Sequence, residues 1–334
     1  MIRFVVRRLA FLVLVLLGIS LITFVLSHIV PADPVRLYAG PRATPATIRL
    51  IRHQLGFDQP LPQQYLLYLS NLLHGNFGYS LESHRAVSAD LYDYLPATIE
   101  LTLAAVVFIL VVGIPLGVLS AVLPGSIVDQ VGRVIATTGV ALPAFWLGLM
   151  AQLVFFDLLG WLPAGGRLNE SANPPPHITG LYTVDSLVSG QFATFGQSLF
   201  HLLLPAVVLG YGSLAVLTRQ IRASMLDVMG QDYVRTARGK GMPRRIIVIR
   251  HALRNALVPA TTVMGLQIGY LLGGALLVED VFSWPGIGRY ATLATLTLDY
   301  NAIMAVTIVA ALMYGLVNLV VDLLYVVIDP RIVY

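Results

Sequence analysis

The stretch TRQIRASMLDVMGQDYVRTARGKGMPRRIIVIRHALRNALVP, from Thr218 to Pro259, lies between long apolar runs. The chain carries 21 basic residues, and nine of them fall between Arg219 and Arg254, opposed only by Asp227 and Asp232. The sole lysine, Lys240, is among the nine. A basic loop between apolar segments is a topology signal, a docking surface, or both.

Composition says what surrounds the loop. Of 334 residues, 57% are hydrophobic and 11% charged, with a mean hydropathy of +0.79. A soluble domain carries about 25% charged residues, so the chain is expected to cross a membrane several times. The absence of cysteine excludes disulfides, thiolate metal sites and cysteine nucleophiles. The N-terminus has the basic start of a signal peptide. Its uncharged run, Leu9–Val30, is nevertheless longer than an h-region and no A-x-A site follows, so it is read as a retained span.

Six runs reach the roughly 20 apolar residues a span needs: Leu9–Val30, Thr98–Val122, Val134–Phe156, Leu199–Leu217, Leu257–Val278 and Ala302–Val327. The fold class is therefore all-α and integral to the membrane. Its segments are 1–30 (tail and first span), 31–97 (an extracytoplasmic segment) and 98–334 (five spans with the basic loop, 219–256). With a cytoplasmic N-terminus, the inner side collects 14 of the 21 cations, as the positive-inside rule requires of both termini. In the outer segment, TPATIRLIRHQLG and LPQQYLLYLSNLLHG place Ile48, Ile51 and Leu55, then Leu66, Leu69 and Leu73, at helical spacing. These are expected to be amphipathic helices on the bilayer surface, or a platform for an outer partner. The segment 157–198, with NPPPHITG, reads as irregular. In EDVFSWPGIGRY the aromatics fit an interfacial belt, whereas Pro285, Gly286 and Gly288 fit a turn folding back to the bundle.

No catalytic centre emerges. A phosphate-binding G-x-x-x-x-G-K-[ST] loop is absent, since Lys240 is followed by Gly241 and Met242. No two of the seven histidines lie at i, i+4, so no zinc-protease pattern exists and no metal is expected. His201 and Ser213 are about 18 Å apart along one helix, too far for a nucleophile and base. Asn318 and Asp322 share a face of the last span. A lone acid there is read as a structural hydrogen-bonding group rather than a proton relay, and Gln152 and Gln267 as interhelical amides.

Within the basic loop, Asp232 is an expected N-cap for YVRTAR, with Gly239 and Gly241 as stops. Pro243 opens a second short segment, in which Ile246, Ile249 and Leu253 share one face. An ordered pair of helices exceeds what a topology signal needs and suits docking into another protein's cleft. The loop resembles the E-A-A-x3-G-x9-I-x-L-P loop of ATP-binding-cassette (ABC) importer permeases. Arg235, Thr236 and Ala237 stand at E-A-A, Gly241 at the glycine, and His251, Leu253 and Arg254 at I, L and P. Only Ala237, Gly241 and Leu253 match the general pattern. DYVRTARGKG with RHALRNALVP is instead similar to the dipeptide/oligopeptide/nickel permeases. So are MIRFVVRRL, IVPADPV, LGFDQPLPQQYLLYL, HGNFGYS, GIPLGV, VEDVFSWPGIGR, NLVVDLLY and DPR, in order along nearly the whole chain.

That resemblance implies a type I ABC importer permease fold with six transmembrane helices, in the bacterial cytoplasmic (inner) membrane. It implies a second homologous permease, two ATP-binding subunits holding ATP and Mg, and an extracytoplasmic solute-binding protein. The chain itself would bind no cofactor and no nucleic acid, and would touch membrane lipid. Tyr233, Arg235, Thr236, Ala237, Arg238, Gly239, Lys240 and Gly241 would form the coupling helix seated in an ATPase cleft. Arg250, His251, Leu253, Arg254 and Asn255 would support it. Phe282, Ser283, Trp284, Pro285, Gly286, Gly288 and Arg289 would meet the binding protein. The cargo implied is dipeptides or oligopeptides, the alternatives being nickel, glutathione or another small solute in the same machinery. A stand-alone ion-coupled carrier would need more intramembrane charge than Asp322, and an intramembrane enzyme has no constellation here.

Overall fold

The computed structural model describes residues 2–29, 43–54 and 56–328. Leu55 and Arg331 thus fall outside the described residues. The described elements are helical, apart from an isolated antiparallel bridge between Tyr79 and Ala86. In chain order they are α1 (Ile2–Ile29), α2 (Pro45–Gln54), α3 (Leu61–Leu73), α4 (Val87–Val122), α5 (Ile127–Ala141) and α6 (Ala144–Ala151), which runs on as a π-helix over Gln152–Leu158. Then follow α7 (Tyr182–Val188), α8 (Phe192–Met229) and α9 (Asp232–Gly239). The last are α10 (Arg244–Ile246), a second π-helix (Ile247–Leu253), α11 (Arg254–Val281), α12 (Ile287–Leu296) and α13 (Tyr300–Ile328).

Five helices are long and apolar enough to cross a membrane, and α5 with α6 makes a sixth span if the bent pair counts as one. The predicted span Val134–Phe156 falls on this pair, which is bent by 115°. The cause is local. Pro143 lacks an N–H and forces the residue before it out of helical geometry; Leu142 is extended, at φ −90° and ψ 128°. The second span also starts earlier than predicted, at Val87. The predicted second short helix of the basic loop is instead the first part of one continuous 38-residue element, Arg244–Val281.

The chain divides into two compact units, Met1–Leu95 with Gly286–Gly315, and Pro96–Pro285 with Leu316–Tyr334. The first is built on Val87, Leu91, Ile287, Tyr290, Ala294, Ala302 and Ala305. Its HGNFGYS segment is pinned by a buried carboxylate: Asp299 accepts from Ser80 Oγ and the Leu81 amide, both at 2.6 Å. Gly78, at φ +84°, leaves no room for a side chain beside Asn301. Tyr65 of α3 reaches Ser20 Oγ of α1 at 2.9 Å. Leu66 and Leu73 of the predicted apolar stripe are 64% and 85% exposed, open to a bilayer surface or an outer partner.

The second unit is organised on α8, whose buried face runs from Ser198 to Met225. Glycines let its neighbours close on it. Gly113 and Gly117, in GIPLG, form a small-xxx-small pair. A Cβ at Gly117 would come 2.9 Å from Ile221 Cβ and from the Thr218 carbonyl. At Gly139 of α5 it would come 2.6 Å from Ala215 Cβ and 3.0 Å from the Tyr211 carbonyl. The segment 157–198 is less irregular than expected, because it contains α7. There Asp185 gathers the Ile178, Thr179 and Gly180 amides and the Thr179 hydroxyl. Burial pushes this carboxyl's pKa up, but these hydrogen bonds outweigh burial and hold it below the usual value.

Gly139→Leu is expected to overpack α5 against α8 and cost about 1–3 kcal/mol, seen as a lower melting temperature of the detergent-solubilised chain. Because the folded pKa of Asp185 is depressed, its contribution is present above the unfolded value and is lost as pH falls through the folded one. Asp185→Asn should therefore lower the melting temperature at pH 7 and flatten its acid dependence below about pH 4; parallel pH curves for the two proteins would contradict the cage.

Candidate functional site

The basic loop becomes a small, well-seated helix. In α9, Val234 and Ala237 lie at i, i+3 and are its buried residues. They pack on Ile247, with Val228, Met229 and Met242 around them. The opposite face carries Arg235, Thr236, Arg238, Gly239 and Lys240 into solvent, with Tyr233 41% exposed. Asp232 is not the N-cap. Gln231 takes that place without a side-chain hydrogen bond, and Asp232 sits in the first turn, where its charge suits the helix dipole. Its pair with Arg235, at 3.4 Å, is 96% and 72% exposed at the two side chains and contributes little. The helix stops as foreseen at Gly241, whose φ is +73°. Gly241 donates to the Arg238 carbonyl at 2.9 Å. Gly239 is helical, and a Cβ there would meet open space, so only one of the two glycines is demanded by the backbone.

The support behind α9 is the continuous element Arg244–Val281. Its buried face is Ile247, Val248, Ala252 and Ala256, not the predicted Ile246, Ile249 and Leu253. The π-helix over 247–253 is the reason, because each wide turn shifts the face away from a 3.6-residue count. Asn255 donates to the Tyr233 hydroxyl at 2.7 Å, closing a tie from α9 to α11. Arg250 and Arg254 are exposed, and His251 and Leu253 are half-buried. Asp129, at the start of α5, accepts from Arg222 Nε at 2.9 Å and from the Gly125 amide at 3.0 Å. One of the nine loop cations is thus spent on joining α5 to α8.

At the other end of α11 lies a buried polar cluster. Trp284 is 1% and Phe282 0% exposed, so these two are core residues rather than a surface for a partner or an interfacial belt. The turn folds back: Trp284 Nε1 donates to the Ala97 carbonyl at 2.8 Å, and the Gly166 amide to the Phe282 carbonyl at 2.9 Å. Ser283 is exposed and Pro285 half-buried. In the other unit, Gly286 and Gly288 are buried and Arg289 half-buried. Beneath the turn, Glu279 accepts from Thr98 Oγ1 at 2.6 Å. Arg167 pairs with Glu100 at 2.5 Å, their side chains 6% and 4% exposed. Thr183 donates twice to the same carboxylate, at 2.7 Å each. The Arg167 guanidinium also lies 3.4 Å from the centre of the Tyr182 ring. Asn318 and Asp322 are half-buried, one turn apart in α13.

The geometry is thus a short helix with an exposed polar face, mounted on an element long enough to cross a membrane. Residues 113–334 match the profile of the binding-protein-dependent transport system inner membrane component, and residues 1–102 match its N-terminal counterpart. The chain belongs to this family. It is a multi-pass inner-membrane permease component. It is 48% identical over 321 residues to a probable D,D-dipeptide transport system permease of Escherichia coli, covering 96% of this chain and 94% of that one. It is 43% identical to a dipeptide transport system permease of Alkalihalophilus pseudofirmus and 39% identical to a glutathione transport system permease of E. coli, each over the full length of both chains.

The sequence reading passed over Glu100, Arg167 and Glu279. A signal was present for two of them: Glu100 stands three residues into an otherwise apolar run, and Arg167 is the only cation between Arg133 and Arg219. Removing one member of a buried pair leaves an uncompensated charge, which costs about 3–5 kcal/mol. Arg167→Met in the permease should therefore lower its melting temperature sharply, and Glu100→Gln in the same chain should recover part of the loss. Equal, additive losses in a double-mutant cycle would show that the pair is not coupled.

Proposed function

We propose that this permease carries dipeptides or short oligopeptides inward across the membrane, driven by ATP hydrolysis in separate subunits. The observation that carries the reading is the mounting of α9. Its apolar side is locked by Val234, Ala237 and Ile247, and its polar side is free to enter a cleft. A push on that side reaches a helix that continues to Val281. In the proposed assembly a second, homologous permease completes the pathway. Two ATP-binding subunits hold ATP and Mg against α9, and a solute-binding protein delivers cargo at the opposite face. α9 and both termini would lie in the cytoplasm, with the 31–97 segment outside. The chain would supply pathway and coupling and no hydrolytic site, in keeping with its missing phosphate-binding loop.

Near Ser283, Pro285 and Arg289 the outer surface is the proposed meeting place with the binding protein. The dipeptide names of two relatives support peptide cargo. A glutathione-named relative of full-length similarity makes a peptide-like thiol the second candidate, with the binding protein setting the choice.

The test is uptake by proteoliposomes holding the complete complex, with labelled dipeptide, glutathione and nickel offered in turn. ATP-dependent dipeptide uptake that requires the binding protein is expected. Uptake by this chain alone, without ATP, would overturn the reading. Gly241→Val forces a β-branched residue into a left-handed backbone, at a cost of about 1–2 kcal/mol. It should cut transport at least ten-fold while the chain stays in the membrane; unchanged uptake would remove α9 from the coupling role.

A further inference from the structure

A groove of about 490 Å³ opens between the end of α4 and the start of the 244–281 element. One wall is Ile114, Pro115, Val118, Leu119 and Val122; the other includes Val248, Ile249 and Leu253. Arg244 and Arg245 are the only polar residues among its lining. Its size lies within the range of about 300–1,000 Å³ usual for small-molecule sites.

Three facts define an occupant. Both walls belong to helices long and apolar enough to cross a membrane, and the groove sits where one of them ends and the other begins, the place in such helices where acyl chains give way to headgroups. The two arginines adjoin the place where α4 ends, at Val122, so the charged mouth lies at the end of the apolar wall. Arg244 is fixed there: it donates to the Val122 carbonyl at 2.6 Å, capping the negative end of α4 and leaving its remaining guanidinium donors for a ligand. Arg245 is exposed and makes no ion pair among the described residues. An apolar slot with two guanidinium groups at one mouth is complementary to an acyl chain carrying an anionic phosphate, which arginine binds through paired N–H donors.

We propose that this groove holds one anionic phospholipid, its acyl chain between α4 and the π-helix and its phosphate on Arg244 and Arg245. The lipid then braces the element on which α9 is mounted. The site is separate from the docking face of α9 and does not depend on the identity of the cargo.

Native mass spectrometry of the purified full-length permease tests this, titrating phosphatidylglycerol and phosphatidylcholine of identical acyl chains in separate series. Phosphatidylglycerol should bind at least five-fold more tightly, as expected for one or two interfacial arginines. Arg245→Gln should bring the two lipids within two-fold of each other. Val118→Phe, which fills the slot, should weaken both at least five-fold. Arg245 is exposed, so its variant remains decisive even if Val118→Phe fails to fold. Equal affinity for the two lipids, or unchanged selectivity in Arg245→Gln, would overturn the proposal. So would displacement of bound phosphatidylglycerol when a second permease subunit assembles, which would make the groove a protein interface.

Discussion

The burial of Val234 and Ala237 against Ile247 is the contact on which the site depends. Two small apolar side chains, one turn apart, are the buried residues that seat an otherwise polar eight-residue helix. A helix so short has little stability of its own, because nucleation is costly and few hydrogen bonds reward it. The left-handed turn at Gly241 and the Asn255–Tyr233 hydrogen bond close the chain at either side of the seat. The outer face carries Arg235, Arg238 and Lys240, all exposed, with a pair between Arg235 and Asp232 and a 3.5 Å hydrogen bond from Arg238 to the Met229 carbonyl.

What the seat rests on is unusual for its length. From Arg244 to Val281 the chain is one helical element of 38 residues, about 57 Å at 1.5 Å per residue, against roughly 30 Å of hydrocarbon. It is therefore longer than a span needs: its start carries α9, and its far end reaches the polar cluster around Glu279. There the carboxylate of Glu100 is held by Arg167 and Thr183, and Trp284 is tied to the Ala97 carbonyl. Buried ionic groups need every partner satisfied, so such a cluster has few acceptable arrangements. The element thus joins an exposed polar face to a buried charged cluster.

Much of this was legible in the sequence. Composition and the apolar runs pointed to the class and to the five or six spans, and the crowding of cations to the loop that holds α9. Pro243 and Gly241 marked real boundaries. The misses have physical causes. A π-helix changes the residue count per turn, so the face of 246–253 cannot be read with an α-helical period. Asp232 fits an N-cap by residue type, yet Gln231 occupies that place. Pro285, Gly286 and Gly288 fitted the fold-back that the structure shows, whereas Phe282 and Trp284 fitted an interfacial belt by residue type. Their burial follows from a long-range partner, the Ala97 carbonyl, which no local pattern contains. Glu100 was hidden by the apolar run around it, since a single charge barely alters the average of a long window.

The broken third span follows from the same demand for internal partners. Bending at Leu142 and Pro143 frees backbone groups that lipid cannot satisfy. Tertiary contacts hold the bent pair: the Thr138 and Tyr211 hydroxyls bond at 2.7 Å, and Gly139 brings the end of α5 directly against α8. Further along the pair, the π-turn at Gln152 directs its amide to two loose carbonyls, Ala164 at 2.7 Å and Val281 at 3.0 Å. The second of these is the last residue of the 38-residue element. The break is therefore anchored to α8 on one side and, through one glutamine, to the end of α11 on the other.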